Sequence, residues 1–339
     1  MHMIEPVKRQ HIVITGGAGF IGSHLSSAFL ARGAAVTILT RHVESPRAQQ
    51  LARQGARVMP CDLSRQDRIP TPADLPKGQP FIHLAADVSV NGPGLWASNV
   101  EGTKRALDLA EAMQASHVTV ASSIEAQGLT SDEEGPRREE ALCRPVSEYG
   151  ASKVKAEQVV GEWRPSSGKP ALVLRIGNIY GPGSAWLLEP ALFLLLNHEA
   201  VRPAWPDLRR RRFQPLYAAD LVNGMVRAIE QDLTGLYNMT GEEPVTIEDY
   251  VGTLARLLAL TGELKGLDHA ASGSAVTSKP LPADFAYMLM GNPAHPHRCY
   301  DNSKVRGAIG PYARWSLSRG LAATLQWYWT SRGLPAQVA

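Results

Sequence analysis

A glycine-rich segment, residues 15–22, constrains the fold of this chain more than any other feature. It follows residues 11–14, a β-branched apolar run that predicts a buried strand. The residues after it have apolar side chains at helical spacing, so the glycines lie at a predicted strand-to-helix turn. Gly16 would permit the tight turn, Gly19 would let a phosphate approach the backbone, and Gly22 would let the helix pack close to the strand. Free N–H groups and the helix dipole would then hold a pyrophosphate, whereas the alternative is an ordinary tight turn.

Length and composition narrow the class of protein. A chain of 339 residues with 44% hydrophobic residues fits one large α/β unit or two sub-domains with a sizeable core. The net charge of +3 does not suggest nucleic acid or a membrane surface as a partner. Cys61, Cys143 and Cys299 have no paired spacing, so we expect no disulfide framework, no metal site and a reducing, cytoplasmic location. Residues 1–6 lack the apolar core of a signal peptide, and no apolar run reaches membrane-spanning length.

Strand and helix signals alternate through the first half of the chain. They predict further strands at 35–40, 57–60, 81–86, 117–121 and 171–176, and a long helix at 95–114. Residues 128–147 are charged and long for a connection, which suggests a lid or binding loop. Beyond Gly183 helical stretches dominate. We therefore predict an α/β protein with a Rossmann-type doubly wound parallel sheet at 1–183, which binds the dinucleotide, and a smaller, mostly helical substrate-binding region at 184–339.

Residues at the predicted strand ends suggest how a cofactor would be held. At the end of the second predicted strand, an acidic residue would bind the ribose 2′-hydroxyl and favour NAD, but this chain has Thr40 there. Arg41 follows, and its positive charge suits the 2′-phosphate of NADP. We therefore favour NADP(H) over NAD(H), the alternative being a solvated surface arginine. Asp62 would accept from the adenine amino group with Leu63 against the ring, unless it is a turn or capping residue. The small residues 85–86 would leave room for a ribose.

Three polar side chains mark a candidate reaction centre. Tyr149 and Lys153 are four residues apart, so a helix there would place both on one face. The alternative is that Tyr149 and Lys153 are two unrelated exposed side chains. Ser123, at the end of a predicted strand, favours a shared site. Asn99, if buried, would need partners and would tie the active-site strand in place. The four consecutive arginines at 209–212 are either a solvated loop or a source of one arginine that reaches a substrate phosphate or carboxylate.

Together these motifs resemble the extended short-chain dehydrogenases/reductases, the NAD-dependent epimerase/dehydratase family. The matches follow the family's order along nearly the whole chain: 15–22, Asp62-Leu63, 83–86, Asn99 with Gly102-Thr103, Ser122-Ser123, 149–153, Arg175 with Asn178, 180–182, 216–222 and 235–238. The resemblance implies that a later segment, about 213–240, returns to the Rossmann sheet. Residues 122–125, with 214–217, locally resemble the 3β-hydroxysteroid dehydrogenase branch.

The resemblance implies hydride transfer between nicotinamide and a small-molecule secondary alcohol or ketone. Tyr149 would exchange a proton with the substrate oxygen, Lys153 and the nicotinamide charge would lower the tyrosine pKa from about 10, and Ser123 would donate to that oxygen. The cofactor would contact Gly16, Gly19, Phe20, Ile21, Arg41, Asp62, Leu63, Leu84, Ala85, Ala86, Asn99, Tyr149, Lys153, Ile176 and Ile179. The substrate would contact Asp87, Glu125, Asn178 and Arg212.

Two other functions stay open. One is a nucleotide-sugar 4-epimerase with tightly bound NAD, and the other is a non-catalytic NAD(P)-binding regulator, which the presence of both Tyr149 and Lys153 disfavours. Related dehydratases carry an Asp-Glu pair after the catalytic hydroxyl. Here Ile124 replaces that aspartate, which disfavours dehydration because the reaction needs both an acid and a base. The family also implies a homodimer through the helices at 95–114 and 147–162.

Overall fold

The computed structural model describes residues 10–89, 92–197, 201, 204–260 and 295–333. The expectation for residues 1–6 therefore lies outside the described residues. Eleven strands lie in the described part of the chain: β1 (His11–Thr15), β2 (Ala35–Thr40), β3 (Arg57–Pro60), β4 (Phe81–His83), β5 (Val118–Ser123), β6 (Ala171–Ile176), β7 (Asn178–Tyr180), β8 (Arg212–Phe213), β9 (Pro215–Tyr217), β10 (Gly235–Met239) and β11 (Val245–Thr246).

Seven of these strands form the central sheet. Its order is β3-β2-β1-β4-β5-β6-β10, and every neighbouring pair is parallel. The order reverses between β1 and β4, which opens a crevice at the carboxyl ends of those two strands. The predicted Rossmann-type doubly wound sheet is confirmed.

Two strands differ from their predicted lengths in ways that affect the site. β4 ends at His83 rather than at residue 86, because its neighbour β1 ends there at the glycine turn. β5 continues two residues further than predicted, and Ser123 still pairs in register with Ile176 of β6. The sheet therefore holds the backbone of Ser123 directly.

Ten α-helices lie wholly in the described residues, some against the central sheet and the others in a separate helical layer. They are α1 (Phe20–Ala31), α2 (Pro46–Arg53), α3 (Gly102–Ala112), α4 (Glu148–Ser167), α5 (Leu188–Leu196), α6 (Trp205–Leu208), α7 (Ala218–Glu230), α8 (Ile247–Leu257), α9 (Ser303–Ile309) and α10 (Leu317–Ser331). α4 begins where the Ser147 side chain accepts from the N–H of Gly150, and it ends at Gly168, which has φ +66°.

The single long helix predicted at 95–114 is wrong in its first half. Ala97–Glu101 forms a π-helical turn before α3 begins. This wider turn carries Asn99, whose Oδ1 accepts from the N–H of Asp87 at 2.8 Å and whose Nδ2 donates to the Asp87 carbonyl at 2.9 Å and to Ser152 Oγ at 3.0 Å. Such turns recur at functional sites, and here the turn ties the end of β4 to α4.

Three apolar clusters form the core. One lies on the sheet face covered by α1, α7 and α9, and the second lies on the face covered by α3 and α4. The third packs α5, α6, α8 and α10 together, away from the central sheet. Within the segment predicted to return to the sheet, α7 packs on the first cluster and β10 pairs with β6. Residues after 183 thus contribute both to the sheet and to a separate helical core.

Candidate active site

The glycine turn is packed too tightly for side chains. Gly16 has φ +69°, and a Cβ there would lie 2.7 Å from the N of Ala85. A Cβ at Gly22 would lie 2.1 Å from the carbonyl oxygen of Gly16. Gly22 therefore permits close contact with the turn itself rather than with the strand, which corrects the expected role. The N–H of Gly19 donates to the Gly16 carbonyl at 2.9 Å.

A cavity of about 510 Å³ lies beside this turn, at the crevice of the sheet. Eight of the predicted cofactor residues line it: Gly16, Gly19, Arg41, Asp62, Leu63, Leu84, Ala85 and Ala86. Further lining residues that the sequence reasoning missed include Thr15, Ala18, His42, Ser45, Arg47, Ser64 and Ser98. A glycine cradle without room for a Cβ, opening into a cavity of this volume, fits a dinucleotide.

Other predicted cofactor residues do not line this cavity. Ile176 and Ile179 are buried in the first apolar cluster, and Phe20 and Ile21 pack against it from α1. Asn99 is buried in the hydrogen bonds described above, as expected for a residue that ties the active-site strand in place. Tyr149 and Lys153 lie on α4, outside the cavity lining.

Asp62 stabilises a local turn and also lines the cavity. Its Oδ1 accepts from the N–H of Ser64 at 3.0 Å and from Ser64 Oγ at 2.6 Å. Burial would raise the pKa of this carboxyl, but the Ser64 hydrogen bonds and the charge of Arg41 hold it below its usual value. Arg41 is exposed and lines the same cavity. The two interpretations of Asp62, turn residue and cavity residue, are therefore compatible.

Ser123, Tyr149 and Lys153 come together where β5 meets α4. The Ser123 side chain lies within reach of the Tyr149 side chain, and a hydrogen bond from it works to lower the tyrosine pKa. Lys153 lies one turn further along α4, with its Nζ 5.8 Å from the centre of the Tyr149 ring, and donates to the carbonyl oxygen of Ala121 at 3.1 Å. The three side chains thus form one polar group at the carboxyl end of β5.

The electrostatics of this group differ from the expectation. Burial raises the pKa of Tyr149 to about 12, against the opposing effect of the Ser123 hydrogen bond. Burial also lowers the pKa of Lys153 to about 8, although the negative charge of Glu157 opposes this. The predicted lowering of the tyrosine pKa is wrong for the protein by itself, because desolvation outweighs its polar neighbours.

Glu157, one turn beyond Lys153, anchors the face of α4 that carries Tyr149 and Lys153. Its carboxylate accepts from Arg175 Nε at 2.9 Å and from Arg175 Nη2 at 2.7 Å, and Ser122 Oγ donates to it at 2.5 Å. Arg175 lies on β6, so this ion pair fixes the helix against two strands. The sequence reasoning missed Glu157, although its four-residue spacing from Lys153 was a signal that could have found it.

A second, smaller cavity lies on the substrate side and is rich in cationic side chains. Its lining residues are Asn178, Leu187, Arg211, Arg212, Phe213, Ile247, Pro296 and Arg298. Among the described residues, the buried Nδ2 of Asn178 has no hydrogen-bond partner. Arg212 pairs with Asp132, which comes from the loop before α4. Arg298 donates through Nε to Glu125 Oε1 at 3.1 Å, and it was missed because the sequence around it shows no pattern.

The four predicted substrate residues do not all lie at the same cavity. Asn178 and Arg212 line this second cavity, and Glu125 reaches it through Arg298. The Glu125 N–H also donates to Ser123 Oγ at 3.2 Å, which connects the cavity to the group formed by Ser123, Tyr149 and Lys153. Asp87 lies in neither cavity lining, and its carboxylate accepts instead from the N–H of Ser89 at 2.9 Å. Its expected contact with substrate therefore has no support from the geometry.

Two other kinds of feature are absent from the described ranges. There, no group of histidine, cysteine and acidic side chains is arranged to hold a metal ion. No helix among the described residues combines the length and apolar character that crossing a membrane requires. The three cysteines are free thiols, with Cys61 and Cys299 buried.

Comparison with known proteins gives the family. The model of the NAD dependent epimerase/dehydratase family matches residues 12–239. UDP-glucuronate 4-epimerase 6 of Arabidopsis thaliana is 26% identical over 288 residues, which cover 74% of this chain and 62% of that protein. dTDP-L-rhamnose 4-epimerase of Burkholderia thailandensis is 24% identical over 379 aligned positions, with 95% of each chain covered.

Solved structures show the same fold. The dTDP-glucose 4,6-dehydratase DesIV from Streptomyces venezuelae, solved with NAD and TYD bound, superposes with a TM-score of 0.73. The two chains are 22% identical, and the match covers 96% of this chain and 98% of the other. At 22% identity the comparison supports only the shared fold.

Proposed function

This chain belongs to the NAD dependent epimerase/dehydratase family, and we propose that it is a nucleotide-sugar 4-epimerase with a retained nicotinamide cofactor. The observation that carries the proposal is the arginine-rich cavity that Arg298 and Glu125 connect to Ser123. A nucleotide sugar has a diphosphate next to its sugar, so a cationic cavity close to the reacting hydroxyl is what such a substrate requires. The two 4-epimerases among the relatives support the same choice.

The charges of this cavity favour an anion. Burial lowers the pKa of Arg211, and the neighbouring charge of Arg298 adds to this effect. Two guanidinium groups that repel each other would be stabilised by a phosphate between them, because arginine binds phosphate oxygens through paired N–H groups. The partnerless Nδ2 of Asn178 is a further donor for the same ligand.

The catalytic group suits the oxidation and reduction of a secondary alcohol. Tyr149 would accept the proton of the substrate hydroxyl, and Ser123 would donate to the same oxygen and hold it in line. Lys153, beside the tyrosine ring, would stabilise the phenolate when protonated. A bound nicotinamide cofactor supplies the acceptor, and afterwards the donor, of the hydride. Return of the hydride to the opposite face of the ketone carbon, with return of the proton by Tyr149 to the ketone oxygen, would complete an epimerisation with no net redox change.

The test begins with the cofactor that accompanies the purified protein. We expect NAD to be released on denaturation, and UDP- or dTDP-hexoses to be converted to their 4-epimers without added cofactor, as followed by proton NMR. Arg211→Met should raise the KM for the sugar nucleotide, whereas Arg210→Met, an exposed neighbour, should leave it unchanged. A stoichiometric need for external cofactor would contradict the proposal.

A second candidate is an NADP(H)-dependent ketoreductase. It is favoured by Arg41, which lines the cofactor cavity without an acidic residue at position 40. This function predicts that cofactor exchanges freely, that NADP(H) binds more tightly than NAD(H), and that Arg41→Ala removes the difference. Equal affinities in the unmodified protein would exclude it.

The proposed homodimer would use the outer faces of α3 and α4. Trp96, just before α3, is 46% exposed and donates to Glu148 at the start of α4. Such a large exposed ring suits burial by a second copy of the chain. A monomeric mass by light scattering would exclude this assembly.

A further inference from the structure

Arg47 joins two parts of the chain that face the cofactor and the substrate. It is the second residue of α2, whose first turn is capped by Ser45. Its guanidinium donates to the carbonyl oxygen of Gly183, which lies 136 residues further along the chain. Gly183 belongs to the loop that leads from β7, which carries Asn178, towards α5. Arg47 therefore connects the cofactor side of the molecule with the strand that serves the substrate cavity.

The same guanidinium lies in the wall of the cofactor cavity. Arg47 lines that cavity together with Ser45 and Gly19. It is half-buried, and its partner at Gly183 is a neutral carbonyl group. Throughout the described ranges, no acidic side chain forms an ion pair with Arg47, so its positive charge has no anionic partner within the protein. An arginine in this position is suited to a phosphate.

The local packing keeps Arg47 in this place. Gly183 has φ +103°, and a Cβ there would lie 3.2 Å from Arg47 Nη2 and 3.2 Å from Phe20 Cδ2. Only glycine allows the guanidinium to come so close to the loop. His24 of α1 holds the other side of the same turn through a 2.7 Å hydrogen bond between its Nε2 and the carbonyl of Pro182. The loop is thus tied to both helices that flank the cofactor cavity.

We propose that Arg47 binds a phosphate of the cofactor while it holds Gly183, so that cofactor binding orders the loop leading from β7 to the substrate region. The proposal rests on the cofactor binding proposed above. The phosphate is either the pyrophosphate or the 2′-phosphate of NADP, and both offer the same anionic oxygens. Arg47 would thus form a bridge between the cofactor phosphate and the Gly183 carbonyl group. Both the retention of cofactor and the shape of the substrate cavity would then depend on this one side chain.

The first test measures affinity for NAD+ and NADP+ by calorimetry on protein freed of carried cofactor. Arg47→Met keeps most of the aliphatic stem and should weaken binding about ten- to hundredfold, the usual effect of losing a hydrogen bond to a charged group. Arg53→Met, at the exposed end of the same helix, is the matched control and should bind like the unmodified protein. A loss for both cofactors identifies the pyrophosphate, and a loss for NADP+ alone identifies the 2′-phosphate. Unchanged affinity for both, or an equal loss in Arg53→Met, overturns the proposal.

The second test measures the bridge itself. Saturating NADP+, which carries both the pyrophosphate and the 2′-phosphate, should slow amide hydrogen exchange in residues 181–187 of the unmodified protein, and this protection should be lost in saturated Arg47→Met. Protection that persists in the variant overturns the bridge. If Arg47→Met does not fold, Arg47→Lys serves instead, because it keeps the charge but lacks the second arm of N–H groups. If the unmodified protein binds neither cofactor, the proposed function itself is wrong. That result differs from one in which the unmodified protein binds cofactor and only the role of Arg47 is contradicted.

Discussion

Arg298 donates through Nε to Oε1 of Glu125 at 3.1 Å, across 173 residues of sequence. Both side chains are more than nine-tenths buried, and the second carboxylate oxygen of Glu125 has no hydrogen-bond partner among the described residues. Glu125 follows Ser123 at the end of β5, while Arg298 belongs to the C-terminal part of the chain. The pair therefore joins the end of β5 to a segment from the C-terminal part of the chain, beside the second cavity.

Removing Arg298 should destabilise the fold strongly. Arg298→Met would leave the Glu125 carboxylate buried without its partner, and loss of one member of a buried pair costs about 3–5 kcal/mol. Urea unfolding followed by circular dichroism would measure the change. The control is Lys304→Met, which breaks the exposed Lys304–Glu140 pair and should cost less than about 1 kcal/mol. Equal effects of the two substitutions would contradict this account of the pair.

Tyr149→Phe should abolish turnover and leave cofactor binding intact. The variant removes only the hydroxyl that exchanges the proton, and general acid–base groups contribute about 10²- to 10⁴-fold to rate. Turnover of the sugar nucleotide and cofactor affinity would be measured on the same preparation. Tyr328→Phe, near the C-terminal end of α10, is the control and should keep full activity. A Tyr149→Phe protein with normal turnover would remove this residue from the mechanism.

Lys153 should make stability depend on alkaline pH. Its folded pKa of about 8 lies below the ordinary lysine value of 10.5, mainly through burial. Between these pH values the unfolded chain holds the proton and the folded chain does not, so stability rises with pH across that window. Lys153→Met removes the effect. The difference in unfolding free energy between variant and unmodified protein should therefore shift by about 2 kcal/mol between pH 7 and 9.5.

The measurement is urea unfolding of both proteins at the two pH values. Lys155→Met, an exposed lysine on the same helix, should show no such shift. A pH-independent difference for Lys153→Met would mean that this lysine titrates normally in the folded state.

Gly22→Ala should damage the cofactor site and the fold together. A methyl group 2.1 Å from the Gly16 carbonyl forces the turn apart, and overpacking of this kind costs about 1–3 kcal/mol. We expect a lower melting temperature and lost binding of NAD+. Gly161→Ala is the matched control, since a Cβ there meets nothing within 4 Å inside α4 and should stabilise by about 0.5–1 kcal/mol. A normal melting temperature for Gly22→Ala would show that the turn can move to accommodate a methyl group, which would contradict this prediction.

Local patterns predicted the sheet well because each signal lies within a few residues. β2, β3 and β6 have their predicted bounds, since each is a short apolar run between turn residues. The length of β4 and the π-helical turn at Ala97–Glu101 were not predictable in this way. Both depend on neighbours elsewhere in the chain, namely the end of β1 and the hydrogen bonds of Asn99 to the Asp87 backbone.

The sequence by itself determined the glycine turn, the alternation of strands and helices, and the four-residue spacing of Tyr149 and Lys153. Each of these follows from backbone geometry and side-chain periodicity, which act over short stretches. Only the tertiary structure decided which partners the charged side chains meet. The pairs Arg298–Glu125, Arg212–Asp132 and Arg47–Gly183 join residues 80 to 173 positions apart. The burial that raises the pKa of Tyr149 and lowers that of Lys153 likewise exists only once the chain has folded around them.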